Sequence, residues 1–192
     1  MTTFKTRTTA AVCIAAVLAL AGCGKLGKVE QGRVIAYDRQ TRKVTLIREP
    51  AATRSSPGIL PPVTIETPAD PNEMGPEPAA GGLLLVDVRN RRIVIYDRVA
   101  QAFRTIQFTP LAERHNVSAR AGRPLVDRAR KTITFYAAKD RTLITFPASD
   151  DLLAMPAGAW QAGDVVRYYY KDPARALRLM NVTQTDLSKA AG

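Results

Sequence analysis

The fold is decided by two segments near the N-terminus, Gly32-Arg33-Val34-Ile35-Ala36-Tyr37-Asp38 and Lys43-Val44-Thr45-Leu46-Ile47-Arg48. Apolar and polar side chains alternate in both segments, and many of the residues are β-branched or aromatic. This pattern predicts two β-strands with one buried face each. The polar residues 39 to 42 between them predict a turn, so we expect a β-hairpin here.

Segments of the same kind recur through the rest of the chain. They cover residues 83 to 88, 92 to 97, 102 to 108, 123 to 127, 131 to 137, 141 to 146, 165 to 170 and 176 to 182. Helix signals are confined to Pro110 to Arg114, where Pro suits a first turn, and to the residues after Ser149, a favourable N-cap. The sequence therefore predicts an all-β fold, either an antiparallel barrel or a strongly bent sheet, with about eight to ten strands.

One sequence pattern occurs three times among these strands. Asp38, Asp87 and Asp127 each end a strand, a basic turn follows, and a β-branched strand returns. An aspartate in this position can accept hydrogen bonds from backbone groups two residues further on, which favours the reversal. Internal duplication explains this pattern, and so do independent hairpins that require similar turns; the two explanations are equally good.

The hairpins are interrupted by residues 50 to 82, which contain eight of the 13 prolines of the chain. Proline removes a backbone donor, so this composition predicts a long loop, partly in extended polyproline geometry. The triplet Val63-Thr64-Ile65 inside it could add one short strand. Loops of this length are usually either functional or disordered, and the sequence leaves both readings open.

The N-terminus has the three parts of an export signal. Lys5 and Arg7 precede an apolar run from Ala10 to Leu20, and small residues follow it. The apolar run holds about 11 residues, whereas a membrane-spanning helix needs about 20. We therefore expect a cleaved signal peptide and not a transmembrane anchor.

The end of this signal, Leu20-Ala21-Gly22-Cys23, resembles the lipobox of bacterial lipoproteins. The resemblance implies that Cys23 is the lipid attachment site, linked to diacylglycerol by a thioether and acylated on its new amine. Gly24 is not the aspartate that retains lipoproteins in the inner membrane, so the resemblance implies the outer membrane, facing the periplasm. An ordinary signal peptide that happens to end near a cysteine is the alternative.

This interpretation divides the chain into four parts: a signal peptide (1–22), a lipidated tether (23–30), a single β domain (31–187) and a polar tail (188–192). Loss of Lys5 and Arg7 with the signal peptide leaves a net charge of +9 instead of +11. Cys13 and Cys23 are the two cysteines of the chain. The mature protein is therefore expected to have neither a free thiol nor a disulfide.

Two resemblances extend further along the chain. The lipobox, the Gly32–Asp38 opening and the closing segment from Gly163 to Tyr170 resemble a family of small bacterial lipoproteins of uncharacterised function, which implies an envelope location. The first hairpin and the late Gly163-Asp164 strand are also similar to the OB-like barrels of periplasmic copper chaperones. This second resemblance implies a barrel that is OB-like in its first and last hairpins.

The copper chaperones bind metal through a histidine, a capping tryptophan and a pair of methionines. Here His115 stands in a different segment, and the methionines Met74, Met155 and Met180 are isolated. His115 and Met155 are therefore only weak metal candidates, and no cofactor is expected. Met155 and Trp160 are expected to plug one end of the core.

Enzyme motifs are not recognisable in this sequence. It has one histidine, no serine in a nucleophile elbow and no glycine-rich loop for phosphates. Convergent carboxylates could still form a site. We expect a protein that is not an enzyme.

The positive charge is concentrated between residues 89 and 141, which hold 13 basic and four acidic residues. Most of the basic residues are arginines, which bind carboxylates and phosphates in bidentate geometry. A purely solubilising role for these turn residues is the alternative. The anion-binding candidates are Arg89, Arg91, Arg92, Arg128, Arg130 and Lys131.

These observations predict a non-catalytic outer-membrane lipoprotein that binds or scaffolds an envelope component through a basic surface. The expected partners are the membrane, reached through the N-terminal lipid, and anionic lipid headgroups, lipopolysaccharide or an acidic envelope protein. Nucleic acid is not expected. The alternative function is a periplasmic carrier of a metal or small ligand with an OB-like barrel.

Overall fold

The computed structural model describes residues 26–48, 60–118 and 124–185. These contain one short helix, α1 (Asp150–Leu153), and two 3₁₀ turns, Pro71–Glu73 and Ala157–Trp160. The strands are β1 (Lys28–Asp38), β2 (Lys43–Arg48), β3 (Val63–Glu66), β4 (Leu83–Asp87), β5 (Arg92–Asp97), β6 (Ala102–Gln107), β7 (Ala112–Arg114), β8 (Leu125–Asp127), β9 (Thr132–Ala137), β10 (Thr142–Pro147), β11 (Val165–Asp172) and β12 (Arg175–Asn181). The prediction of an all-β fold is confirmed. In the described part of the chain, no helix is both long and apolar enough to cross a membrane.

Five of the strands close a barrel in the order β1-β11-β12-β3-β2. β1 pairs antiparallel with both β2 and β11, whereas β12 and β3 run parallel, with Arg175 opposite Glu66. Val34, Val44, Leu46 and other side chains fill the interior. This is the arrangement of a five-stranded OB-like barrel, and the first and last hairpins form it as predicted.

The remaining seven strands form two sheets between β3 and β11. One sheet has the order β4-β5-β6, which we call the inner sheet, and the other has the order β7-β10-β9-β8, the outer sheet. Their facing sides enclose the largest core cluster, in which Ile93, Phe135 and Phe146 pack with Trp160. Trp160 is fully buried and Met155 is nearly fully buried. Both side chains therefore pack in this core, as we expected. The strands thus divide between a barrel and a sandwich instead of forming one large barrel.

The inner sheet is covered on both faces, because it lies between the outer sheet and the barrel. Ile93 and Ile95 of β5 point into the sandwich core. Tyr96, on the other face, packs against Ile35 and Ile47 on the outside of the barrel. The protein therefore has three layers, and β5 shows the continuous apolar sequence of a strand buried on both faces.

Glycines make the junction between barrel and sandwich possible. Gly81 donates a backbone hydrogen bond to the Val34 carbonyl oxygen at 3.1 Å, and Gly82 donates to the Gly158 carbonyl oxygen at 2.9 Å. A Cβ atom at Gly163 would lie 1.8 Å from the Val34 carbonyl oxygen, and one at Gly81 would lie 2.3 Å from the Gln161 carbonyl oxygen. No side chain fits where these backbones cross.

The junction is held by the buried pair Asp164 and Asn181. The Asp164 carboxylate accepts hydrogen bonds from the Ala79 backbone N–H at 2.9 Å, the Asn181 amide at 2.8 Å and the Gln184 amide at 2.5 Å. Asp164 also accepts from the Val34 N–H through its backbone carbonyl, at 2.9 Å. One residue thereby connects β1, β12 and the segment that leads into the sandwich.

Glu30 connects neighbouring parts of the barrel. Its carboxylate accepts hydrogen bonds from the Tyr168 hydroxyl at 2.7 Å and the Tyr170 hydroxyl at 2.8 Å, and Arg48 lies 3.6 Å away. The two tyrosine rings stack with centroids 5.5 Å apart. Burial by itself would raise the pKa of Glu30, but the hydrogen bonds from Tyr168 and Tyr170 and the charge of Arg48 together lower it.

Five hairpin turns share one geometry, in which the fourth and last turn residue has a positive φ. The angles are 52° at Arg42, 53° at Arg91, 52° at Gln101, 51° at Lys131 and 49° at Arg141. In four of these turns, an aspartate at the end of the first strand accepts a backbone N–H of the turn, at Asp38, Asp87, Asp97 and Asp127. The predicted pattern, in which an aspartate ends a strand before a basic turn, thus corresponds to one turn geometry that is repeated.

Two predictions differ from the structure in detail, and the short strand expected at Val63-Thr64-Ile65 is present. The helix predicted from Pro110 to Arg114 is wrong: Ala112–Arg114 forms the edge strand β7, because pairing with β10 outweighs the local proline signal. Residues 28 to 30, assigned to the tether, begin β1. Of the proline-rich residues 50 to 82, Val63–Glu66 forms β3, whereas residues 49 to 59 lie outside the described part.

Replacement of Gly163 by alanine should destabilise the protein, because the new methyl group meets the Val34 carbonyl oxygen. We expect the free energy of unfolding to fall by about 1–3 kcal/mol or more, in urea titrations followed by circular dichroism. Gly158→Ala is the matched control, since its Cβ would have no atom within 4 Å. Its effect should stay below about 1 kcal/mol. Equal losses from the two variants would contradict the proposed role of the junction.

The lowered pKa of Glu30 predicts a pH-dependent contribution to stability. A carboxyl whose pKa is lower in the folded state stabilises that state above its unfolded pKa and loses this effect as the pH falls through the folded pKa. Comparison of wild type with Glu30→Gln between about pH 6 and pH 3 should therefore show a difference in unfolding free energy that shrinks on acidification. A difference that is constant with pH would contradict the assignment.

Candidate functional site

The predicted lipid attachment site, Cys23, lies outside the described residues. The described chain begins at Leu26, whose side chain is 94% exposed. β1 starts two residues later, at Lys28. The folded domain thus begins close behind the predicted anchor.

Four of the six predicted anion-binding residues are engaged in ion pairs. Arg92 lies 3.7 Å from Asp87, Arg130 lies 3.9 Å from Asp127, and Lys131 lies 3.0 Å from Asp150. These pairs hold strands and turns of the sandwich.

Arg91 is the fourth paired candidate, and it connects the two sheets. Its guanidinium contacts Glu113 on β7, in the outer sheet. Arg89 and Arg128, the remaining two candidates, are exposed and have no ion pair with any described residue. The six predicted anion-binding residues are thus divided between four with an acidic partner and two without one among the described residues.

Arg104, another cation of the basic stretch, ties β6 to the helix α1. It lies 3.6 Å from Asp97 and 2.5 Å from Asp151. The Ser149 hydroxyl and the Arg104 guanidinium lower the pKa of Asp151 to about 2. This cation is occupied by structural partners and is not free to bind an external anion.

Three exposed cations without an ion pair lie near one end of the outer sheet, which we call the cationic end: Arg114, Lys139 and Arg141, with the exposed Asp140 between the last two. Arg114 lies opposite Leu143 in the β7–β10 pairing, and the Arg141 carbonyl accepts the Val117 N–H at 2.9 Å. All three side chains are exposed, and within the described ranges none forms an ion pair. The cationic end thus carries two more cations than acids among its exposed residues 114, 139, 140 and 141.

The backbone of the turns adds a second observation. Arg42, Arg91, Lys131 and Arg141 occupy the left-handed region at the last turn position, where glycine or asparagine is favoured. A cation at such a position costs backbone energy relative to glycine. Arg141 carries this cost without an ion pair among the described residues, so no intramolecular pairing offsets it.

A cleft of about 380 Å³ lies beside the cationic end, between β4 and the β9–β10 turn. Arg33, Lys139 and the acidic Asp140 contribute charge to its lining, and Leu84 and Ala137 contribute apolar surface. β4 is an edge strand of the inner sheet; its start is occupied, because the Leu83 N–H donates to the Gln161 carbonyl oxygen at 3.0 Å, and beyond Leu83 its outer side pairs with no described strand. The Arg33 guanidinium donates to the Gly163 carbonyl oxygen at 3.2 Å, which fixes it at the junction. The cleft therefore combines two cations and one carboxylate with apolar surface along the rest of the β4 edge.

The two weak metal candidates do not come together. His115 is exposed at the end of β7, 3.8 Å from the Glu113 carboxylate and 3.0 Å from the Thr142 hydroxyl. Met155 is buried in the sandwich core, with its sulfur 3.9 Å from Arg104. The described residues contain no cluster of three or more histidine, cysteine or acidic side chains that could hold a metal ion.

The six predicted anion-binding residues lie in or directly after the β4–β5 and β8–β9 turns. The sequence indicates the basic stretch 89 to 141, which includes the cationic end, but not which of its cations face acids. The reason is that pairing with acids is a nonlocal property: Glu113 is 22 residues from Arg91, and Asp151 is 47 residues from Arg104. The left-handed turn position also had no sequence signal, because no glycine marks it.

No curated protein and no solved structure matches this chain. A family model described as "Domain of unknown function (DUF4881)" matches residues 25–190. The match begins just behind Cys23 and includes both the barrel and the sandwich. The chain therefore belongs to the DUF4881 family.

Proposed function

We propose that this protein is a non-catalytic lipoprotein of the outer membrane that faces the periplasm and binds an acidic envelope component through the cationic end. The observation that carries the proposal is the separation of paired and unpaired cations in the sandwich. Arg91, Arg92, Arg104 and Lys131 hold the fold, whereas Arg114, Lys139 and Arg141 are exposed without acidic partners among the described residues.

The neighbouring cleft favours an acidic protein segment as the partner. A polypeptide in extended conformation can lie along an exposed strand edge, where its backbone makes the hydrogen bonds and its side chains give specificity. β4 offers such an edge, and Lys139 lies beside it. Anionic lipid or lipopolysaccharide would use the charge but not the strand edge.

The acidic residues of the hairpins support a non-catalytic role. General acid catalysis by a carboxyl group requires a pKa raised toward neutrality. Hydrogen bonds from Thr41 and Asn90 lower the pKa of Asp38 and Asp87, and a backbone hydrogen bond from Ala100 lowers that of Asp97. These carboxylates are suited to stabilising turns.

The lipid anchor of this proposal rests on the Leu20-Ala21-Gly22-Cys23 motif. Replacement of Cys23 by serine should abolish lipid attachment and leave the signal peptide uncleaved, because serine has no thiol and cannot form the diacylglyceryl thioether that precedes cleavage. Metabolic labelling with a clickable fatty acid, followed by gel electrophoresis, measures both effects. Cys13→Ser is the control and should be labelled like the wild type. Equal labelling of the Cys23→Ser variant would contradict the anchor.

The charge proposal predicts salt-dependent binding of an acidic polypeptide. The lipidated protein in nanodiscs of neutral phosphatidylcholine should bind fluorescent polyglutamate, and binding should weaken as salt rises from about 0.1 M to 1 M, where the Debye length falls from about 10 Å to 3 Å. The triple substitution Arg114→Gln, Lys139→Gln and Arg141→Gln should weaken binding by roughly three-fold to a hundred-fold, since each exposed contact contributes about 0.2–1 kcal/mol.

The matched control removes three cations from the barrel: Lys28→Gln, Arg167→Gln and Lys171→Gln. Its change in net charge is the same, and its binding of polyglutamate should stay near that of the wild type. Equal losses from the two triple variants would mean that total charge, and not the cationic end, determines binding. Stronger binding to phosphatidylglycerol vesicles than to polyglutamate would indicate that the partner is an anionic lipid and not an acidic protein.

A further inference from the structure

The outside of the barrel carries an apolar surface that the sandwich does not cover. Val29 of β1 is 62% exposed, and Leu177 and Met180 of β12 are 43% and 38% exposed. Together with the partly exposed Tyr169 of β11 they form what we call the barrel face. With Leu26, just before β1, this region contains four of the eight large exposed hydrophobic side chains among the described residues.

Strand pairing places these side chains side by side. Val29 lies opposite Tyr169 in the β1–β11 ladder, and Arg167 lies opposite Met180 in the β11–β12 ladder. Val29, Tyr169, Leu177 and Met180 line a broad groove of about 650 Å³. The largest apolar patch on a protein surface is often a site of interaction with a partner or a membrane.

Cations surround the barrel face. Lys28, Arg167 and Lys171 are exposed, and none has an ion pair with a described residue. Arg178, at the rim, is neutralised by Glu73 at 2.5 Å. Protein surfaces that lie at the interface of an anionic bilayer typically contain apolar residues bordered by unpaired cations.

The position of the barrel face in the chain, close behind Cys23, indicates what covers this face. Lys28, the first residue of β1, is five positions after Cys23, and a fully extended chain covers at most about 3.6 Å per residue, or about 18 Å in all. A lipid on Cys23 therefore keeps the start of β1 within that distance of the anchored cysteine. The barrel face includes the start of β1, whereas the sandwich packs on Ile35 and Ile47, further along the barrel.

We infer that the barrel face rests on the bilayer that holds the lipid, with Val29, Leu177 and Met180 at the boundary between headgroups and acyl chains and Lys28, Arg167 and Lys171 at anionic headgroups. This inference rests on the lipid anchor of the proposed function. The anchor and the face together fix the orientation of the barrel on the membrane, and the sandwich with its cationic end projects from another side of the barrel.

Spin labels at single cysteines test the inference in the complete lipidated protein. The lipid occupies Cys23 and the signal peptide carries away Cys13, so Leu177→Cys and Met180→Cys each provide one reactive thiol. The matched controls are Val99→Cys and Leu111→Cys on the sandwich, which replace hydrophobic side chains that are 88% and 63% exposed. All four proteins are reconstituted into vesicles of three parts phosphatidylcholine and one part phosphatidylglycerol.

Power saturation then compares collisions of each label with oxygen, which is enriched in lipid, and with a nickel chelate, which stays in water. Labels at positions 177 and 180 should collide several-fold more with oxygen relative to nickel than labels at 99 and 111. Addition of Lys28→Gln, Arg167→Gln and Lys171→Gln should reduce this ratio at position 177.

Each other outcome overturns the inference in a different way. Equal ratios at all four positions, in protein that carries the fatty acid label, would reject the membrane contact and leave the anchor intact. Dipolar broadening between labels at 177 on different molecules would show that a second copy of the chain covers the face. Absence of the fatty acid label would reject the anchor and, with it, the reason for placing a bilayer here.

Discussion

The structure depends on a crossing of backbones that only glycine permits. At Gly81 and Gly163 the chain passes so close to other main-chain atoms that a single methyl group would collide with a carbonyl oxygen. The buried Asp164 and Asn181 then fix this crossing by hydrogen bonds to the segment that enters the sandwich. Barrel and sandwich are therefore joined by main chain and by one buried polar pair, in addition to the apolar contact between Tyr96 and the barrel. Such a junction leaves little freedom for the barrel and the sandwich to rotate relative to each other.

The charges of the molecule divide by what they contact. Within the sandwich, arginines that face acids connect elements far apart in sequence, such as β7 with the β4–β5 turn and α1 with β6. The cations without acids lie at the periphery, on the cationic end and around the barrel face. A net charge of +11 in the complete chain is thus the surplus that remains after internal pairing. A rigid joint between the two charged regions gives them a constant relative orientation, which is useful for a protein that would sit on one surface and bind another.

Local pattern was sufficient for most of the fold. Alternation predicted the strands from β4 to β6 nearly residue by residue, and the Ser149 signal predicted α1, because these features depend on neighbours in sequence. The division into barrel and sandwich could not be derived this way, since it depends on which apolar faces meet. The same limit applies to the site: each cation was visible in the sequence, but whether Arg91 or Arg141 is neutralised depends on the position of Glu113 across the sheet boundary. The helix predicted at Pro110 failed for the same reason, because an edge position beside β10 was available.

The insertion of the sandwich between β3 and β11 has a consequence for the order of folding. Hairpins such as β4–β5 and β9–β10 join residues that are near in sequence, and contacts of this kind form fast. The barrel has to wait, because β1 pairs with β11 and the Glu30 carboxylate meets a tyrosine 138 residues away. In a chain that is synthesised from its N-terminus, β1 to β3 therefore keep open edges until the last strands are present. Completion of the barrel becomes the final, high-contact-order step of maturation, and premature truncation within β12 would leave a folded sandwich attached to an unsealed sheet.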